Sequence, residues 1–172
     1  ELFYTFKKES LLGGKYGTYI SLNVAAVNGL DTSHVGGVSE LVNGYKVDSY
    51  GFGDTKYVRD VNVEIRKKIN KAWSFNLIHY YFEFNTKVTP VTQDFKGIVY
   101  THIDVLDIQY KFKPKHSIRA ELQSLVTEQD KGNWATALIE YTFSPHWSFA
   151  VMDQYNYGNT NSEKRVHYLY GN

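Results

Sequence analysis

Seven charged residues sit at alternate positions inside extended runs: Glu64, Arg66, Asp107, Lys111, Arg119, Glu121 and Glu140. Asn62, Gln109 and Gln123 fall on the same alternation. In a β-strand, every second side chain points to one face. All ten would therefore share a face, with carboxylates, guanidinium groups and amides on neighbouring strands where opposite charges pair across a ladder. Lining a pore, such residues filter ions or polar solutes. With both signs interleaved, they instead close the space with ion pairs and hydrogen bonds. A selective pore carries one sign in excess, so the mixed signs favour closure.

Other chemistry finds little support. Among the six histidines, no His-x-His or His-x-x-x-His pair occurs, so no metal site and no cofactor is expected. His79 and His102 belong to adjacent extended segments and could face one another. There is no Gly-x-Ser-x-Gly, and no serine is expected beside either ring, so packing is favoured over a hydrolase triad. His116 and His146 adjoin prolines and read as exposed turn residues. Glu83 and Asp104 could pair as carboxylates, but nothing sets the separation a glycosidase needs. No phosphate loop or EF-hand is present. Nineteen Lys plus Arg against 18 Asp plus Glu leave no basic excess to hold nucleic acid. The chain reads as a non-enzyme.

The elements that position these residues are nine extended segments, at 2–8, 16–26, 57–68, 72–84, 98–113, 117–127, 133–144, 147–157 and 165–170. All three prolines fall between segments, where a missing N–H does least harm to a ladder. From residue 57 onward the connections alternate. Residues 69–71, 114–116 and 145–146 are tight; residues 85–97, 128–132 and 158–164 are longer and polar. A barrel crossing an outer membrane is built this way, with short periplasmic turns and longer outside loops. The longest connection, 27–56, is then extracellular, with a hairpin around 38–50 turning at Asn43-Gly44. Mean hydropathy is −0.42 and no stretch suits a membrane helix. A barrel needs none, since only alternate residues meet lipid.

The alternation is clear at Ile20-Leu22-Val24-Ala26, Val61-Val63-Ile65, Leu106-Ile108-Tyr110-Phe112, Ile118-Ala120-Leu122 and Ala135-Ala137-Ile139-Tyr141-Phe143. Its phase slips at 78–84 and 103–106, as a β-bulge would cause. Aromatics gather at two levels. Trp73, Phe75, Tyr110, Phe112, Tyr141, Phe143, Trp147 and Phe149 lie near the short turns. Tyr81, Phe82, Phe84, Tyr100, Trp134, Tyr155 and Tyr157 lie near the long loops, with aliphatics between. Two such levels match the girdles at a membrane's two interfaces. The expectation is an all-β, antiparallel, up-and-down transmembrane β-barrel, with outer-membrane lipid and other outer-membrane proteins as partners. A soluble β-sandwich or lipocalin-like barrel, which also alternates, is the other reading.

Strand parity adds a further expectation. Counting directions from the short turns, the first segment enters from outside. Single-chain bacterial barrels usually have an even strand number. Residues 1–172 are therefore expected to be one barrel domain forming a section of a larger barrel.

Several runs carry a family resemblance. They are residues 57–68 (Tyr-Val-Arg-Asp-Val-Asn-Val-Glu-Ile-Arg-Lys-Lys), 118–123 (Ile-Arg-Ala-Glu-Leu-Gln) and 128–135 (Glu-Gln-Asp-Lys-Gly-Asn-Trp-Ala). Met152-Asp153-Gln154-Tyr155-Asn156 and His167-Tyr168-Leu169-Tyr170-Gly171 complete the set. Together they resemble the C-terminal half of a family of functionally uncharacterised Bacteroidetes outer-membrane proteins, over roughly residues 57–172. The resemblance implies a bacterial outer-membrane location and a large barrel that continues past residue 172. It carries over no catalytic residue. Two functions remain: a non-enzymatic structural or accessory subunit of an outer-membrane assembly, or a diffusion porin or solute channel.

Overall fold

The computed structural model describes residues 1–34, 45–88 and 96–172. Its strands are β1 (Leu2–Phe6), β2 (Thr18–His34), β3 (Tyr45–Lys68), β4 (Trp73–Asn85), β5 (Ile98–Lys113), β6 (His116–Val126), β7 (Trp134–Phe143), β8 (Trp147–Tyr155) and β9 (His167–Gly171). They form a nine-stranded sheet in chain order, with every neighbouring pair antiparallel. The fold is an all-β up-and-down meander. Among the described residues no ladder joins β1 to β9, so the sheet is open.

The nine expected segments are present with small changes at their ends, except at the connection expected over 27–56. There β2 continues to His34 and β3 begins at Tyr45, so residues 27–34 and 45–56 are strand. Register shifts after Val27, Asn28 and Leu30 absorb the extra residues of β3. Gly53 permits this close passage, since a Cβ there would lie 2.6 Å from the Leu30 carbonyl oxygen. The Asn43-Gly44 turn lies outside the described residues.

A second difference concerns the phase slips. The β3–β4 and β4–β5 ladders run without a register shift through 78–84 and 103–106. No bulge is present there. The backbone keeps its period and the side chains change character instead.

The short connections are set by local chemistry. The Asn70 side-chain oxygen accepts the Ala72 and Trp73 N–H groups at 2.8 and 2.9 Å, closing the β3–β4 turn. Lys113 pairs with His116 across Pro114-Lys115, and Lys115 has φ 68°. Proline followed by a positive φ is the type II turn pattern, which favours glycine at the second position. Lys115→Gly is therefore expected to stabilise the chain by about 0.5–1 kcal/mol. Lys115→Val should destabilise it by about 1 kcal/mol or more, since a β-branched residue tolerates this region poorly. Denaturant midpoints of the two variants against wild type check the ordering.

An apolar core is nearly missing. Among the described residues Val99 is the one buried hydrophobic residue, and the other buried side chains with polar groups are Thr18, Ser21, Thr86, Thr101, Thr136, Asn156 and Asn159. The sheet does not fold its apolar surface inward.

Candidate functional site: an ion-paired face and its apolar reverse

Directly opposed residues of an antiparallel ladder share a face. Arg66 faces Asn76, Asn76 faces Asp107, and Asp107 faces Glu121. Gln109 faces Arg119, which faces Glu140. Asn62 faces Tyr80, Glu64 faces Ile78, and Gln123 faces Val105 and Thr136. Lys111 follows Gln109 by two residues. All ten expected residues therefore lie on one face, here termed the polar face.

Arg119 is the hub of that face. Its Nε contacts Asp107, one Nη contacts Glu121, and the other lies 4.0 Å from Glu140. Gln123 donates to Glu121, and the Thr142 hydroxyl donates to Glu140 at 3.0 Å. A second cluster centres on Glu64. Arg66 donates both its Nε and an Nη at 2.7 and 2.6 Å, and Asn76 donates at 2.8 Å. The expected cross-strand partner of Arg66 is thus replaced by a neighbour on its own strand. The guanidinium also lies 5.0 Å from the Tyr19 ring centre. Asn76 and Tyr19 escaped the sequence reading because their partners are set by register, whereas the Thr142–Glu140 spacing of two on one strand was available. Toward the short turns this face opens into a hollow of about 480 Å³ lined by Tyr19, Arg66, Lys68, Asn76, Gln109 and Arg119 among others.

The reverse face is apolar and exposed. Ile139 and Val151 are each 63% exposed and Leu122 55%, whereas the Asp107 and Glu121 side chains are 22% and 16% exposed. Burial is inverted relative to a water-soluble sheet.

The apolar residues form a belt that crosses the sheet diagonally. On β2 it runs from Ile20 to Ala26, on β7 from Ala135 to Phe143, and on β8 from Trp147 to Val151. From Ile20, the ladder leads through Ile65, Leu77, Leu106, Leu122 and Ala137 to Asp153. A row that starts at the belt's lower edge on β2 thus ends above its upper edge on β8. The lower edge on β8 is Trp147, six residues below Asp153 and six strands from β2. A stagger of one residue per strand, at about 3.3 Å per residue and about 4.8 Å between strands, corresponds to a tilt of about 35°.

The aromatics divide unequally between faces. Trp73, Phe75, Tyr110, Phe112, Tyr141, Phe143, Trp147 and Phe149 all share the apolar face near the short turns. Near the long connections, Tyr81, Tyr100 and Tyr155 lie on that face. Trp134, Phe82 and Phe84 lie on the other, and Trp134 sits 5.9 Å from Tyr168. Trp134 is therefore not part of an outward girdle, because it precedes Ala135 by one residue and period 2 reverses it. His116, expected as an exposed turn residue, is part-buried. It stacks on Phe143 at 4.6 Å and shares a 2.7 Å hydrogen bond with the Tyr141 hydroxyl.

Polar groups also border the apolar belt. His79 faces Asp104, with its Nδ1 2.7 Å from the carboxylate, and Asp104 faces Ser124. A serine thus lies closer to the histidines than the sequence suggested. The order is unsuited to nucleophilic catalysis, since a relay needs the imidazole between hydroxyl and carboxylate. Among the described residues no hydrogen bond joins Ser124 to either ring. Glu83 accepts from the Tyr81 hydroxyl at 2.7 Å and does not pair with Asp104. His167 and Asp153 form a second His–Asp contact at 2.7 Å. Among the described residues, no group of three metal-ligating side chains is present.

The family model that matches covers residues 1–172, the N-terminal third included, and is described as a family of unknown function (DUF6029). The chain belongs to this family. No curated protein and no solved structure matches the chain.

Arg119→Met would leave Asp107, Glu121 and Glu140 without their shared cation. The expected cost is about 1–3 kcal/mol of stability. Arg119→Met combined with Glu121→Met should recover part of it, because one repelling carboxylate goes too. Denaturant midpoints of the single and double variants test this, and equal midpoints for wild type and Arg119→Met would refute the hub.

Proposed function

We propose that this chain forms a wall of a transmembrane β-barrel in a bacterial outer membrane. In this reading it serves as a non-enzymatic structural or accessory subunit of an outer-membrane assembly. The observation that carries the reading is the diagonal apolar belt. A membrane is horizontal, while the strands of an outer-membrane barrel tilt by about 35–45°. Its apolar band must then cut across the hydrogen-bonded rows at the same angle. The stagger of one residue per strand meets that condition. A soluble sheet would place its apolar face against a second layer, with no reason for a belt that climbs one residue per strand. The belt spans seven residues on β2, nine on β7 and five on β8, against the 9–11 residues of a membrane-spanning strand.

The inverted burial agrees, since lipid removes the cost of exposing Ile139, Val151 and Leu122. Above the belt, β2 and β3 continue as an extracellular extension. The five-residue strands β1 and β9 are sheet edges. In a bilayer, such edges require pairing. The resemblance to Bacteroidetes outer-membrane proteins supports the same location.

The mixed-sign network around Arg119 favours a closed lumen and hence the accessory role. Ala120, Ala135 and Ala137 lie on adjoining strands of the apolar face. These small side chains suit contact with another outer-membrane protein. The second reading, a diffusion porin or solute channel, draws on the hollow beside Arg66 and Arg119.

Ile139→Arg is expected to lower insertion into phosphatidylcholine vesicles, at a cost of about 2–4 kcal/mol for a cation near the bilayer midplane. Protease protection of the whole chain in vesicles reads it out. Unchanged protection, or release of wild type from native membranes without detergent, would sink the membrane reading. Ala137→Trp should lower the native mass of a detergent-extracted complex while leaving insertion intact. A single-barrel mass for wild type, together with steady conductance in planar bilayers, would move the function to the channel.

A further inference from the structure

The lysines are unevenly placed. At the short-turn end, the connections with the strand ends that flank them span residues 7–17, 67–73, 111–117 and 144–147. They hold nine lysines (Lys7, Lys8, Lys15, Lys67, Lys68, Lys71, Lys111, Lys113 and Lys115) against one acidic residue, Glu9. At the opposite end, the described residues of 28–57, 85–97, 127–133 and 156–166 balance, with seven basic and six acidic. The near-neutral total conceals a polarised molecule.

None of the nine lysines makes an ion pair with a carboxylate among the described residues, and all but Lys67 are exposed. Lys67 donates to the Leu12 carbonyl at 3.2 Å, and Lys68 lies 5.2 Å from the Tyr16 ring. Lys15 lies 6.0 Å from the same ring, and no carboxylate among the described residues offsets the charge. It also sits beside apolar side chains. Trp73 follows Lys71 by two residues, Phe112 separates Lys111 from Lys113, and Leu11, 98% exposed, lies between Lys8 and Lys15. Trp147 and Trp73 are 64% and 40% exposed.

Lys68 and Lys111 lie on the polar face, so the lysines available to an outer surface are the other seven. We infer that this rim, through those seven, binds the anionic phospholipid headgroups of the leaflet at the short-turn end, a partner for the barrel proposed above and resting on that reading. The physical reason is the interleaving. An acidic protein segment needs cations alone. A lipid interface needs cations at the headgroup level with aromatic and aliphatic side chains a few ångströms deeper, as on this rim. Each lysine near an anionic surface strengthens binding about fivefold, and the effect fades with salt. The rim also sets orientation, because the end with balanced charge gains nothing from anionic lipid.

The test uses the whole chain reconstituted in phosphatidylcholine vesicles doped with a dansyl-labelled phosphatidylglycerol or a dansyl-labelled phosphatidylcholine. Energy transfer from the tryptophans is read at low and high salt. Protease protection in undoped vesicles is measured first and reports on membrane insertion alone. The variant Lys8→Gln/Lys71→Gln/Lys113→Gln removes one exposed lysine from each of three connections.

The expected result is that wild type enriches the phosphatidylglycerol probe at least fivefold over the phosphatidylcholine probe. High salt should bring the ratio close to one and the triple substitution should lower it severalfold, with insertion unchanged. Equal transfer from both probes in an inserted wild-type chain overturns the headgroup site and leaves the barrel standing. Displacement of the phosphatidylglycerol probe by a polyglutamate peptide at matched charge overturns it in favour of an acidic protein segment. Failure to insert into undoped vesicles overturns the barrel and the headgroup site together.

Discussion

The register of the antiparallel ladder is the constraint on which everything else rests. Each strand is tied to its neighbours by backbone hydrogen bonds, and side chains alternate with period 2. A one-residue slip at any interface would send a strand's apolar set to the polar side. From β3 to β5 the register runs without a break. The β3–β4 register brings Asn76 beside Glu64, and the β5–β6 and β6–β7 registers bring Asp107 and Glu140 to opposite flanks of Arg119. The register shifts lie after Val27, Asn28 and Leu30 on β2 and between Tyr110 and Lys113 beside the β5–β6 turn.

The two faces solve different problems with the same backbone. The polar face satisfies its charges internally. One guanidinium serves three carboxylates, and amide and hydroxyl groups take up remaining acceptor capacity. Removing a partner from such a network costs more than the network contributes, because the survivors stay partly desolvated. The apolar face has no internal solution. Val99 is the one buried hydrophobic residue described, so hydrophobic burial within the sheet cannot be the main stabilising term. Whatever covers the apolar face supplies that term. In the membrane reading proposed above, acyl chains supply it without a second protein layer.

Near the long connections the faces exchange character. His79, His102, Asp104 and Glu83 share the side of Ile65 and Leu106, while Phe82, Phe84 and Ile103 share the side of Glu64. In the membrane reading, strands that rise above the acyl region meet water on their outer side. Their polar residues then belong outward, and His79 pairs with Asp104 there. The apparent slip of phase marks the belt's upper border.

Much of this was legible in the chain. Strand existence, the period-2 pattern, the tight turns at Asn70 and Pro114 and the ten residues of the polar face are local properties. Two residues apart on one strand means one face, whatever the partner. Partnership is not local. That Arg119 gathers carboxylates from β5 and β7, that Asn76 reaches Glu64, and that Ser124 faces Asp104 all depend on register. So does the strand pairing of residues 27–34 with 45–56, since long polar segments look like a loop until a neighbouring strand supplies their hydrogen bonds. The diagonal of the belt emerges only when strands are laid side by side. Composition and spacing determined that one face is apolar; cross-strand hydrogen bonding decided the angle at which that face crosses the sheet.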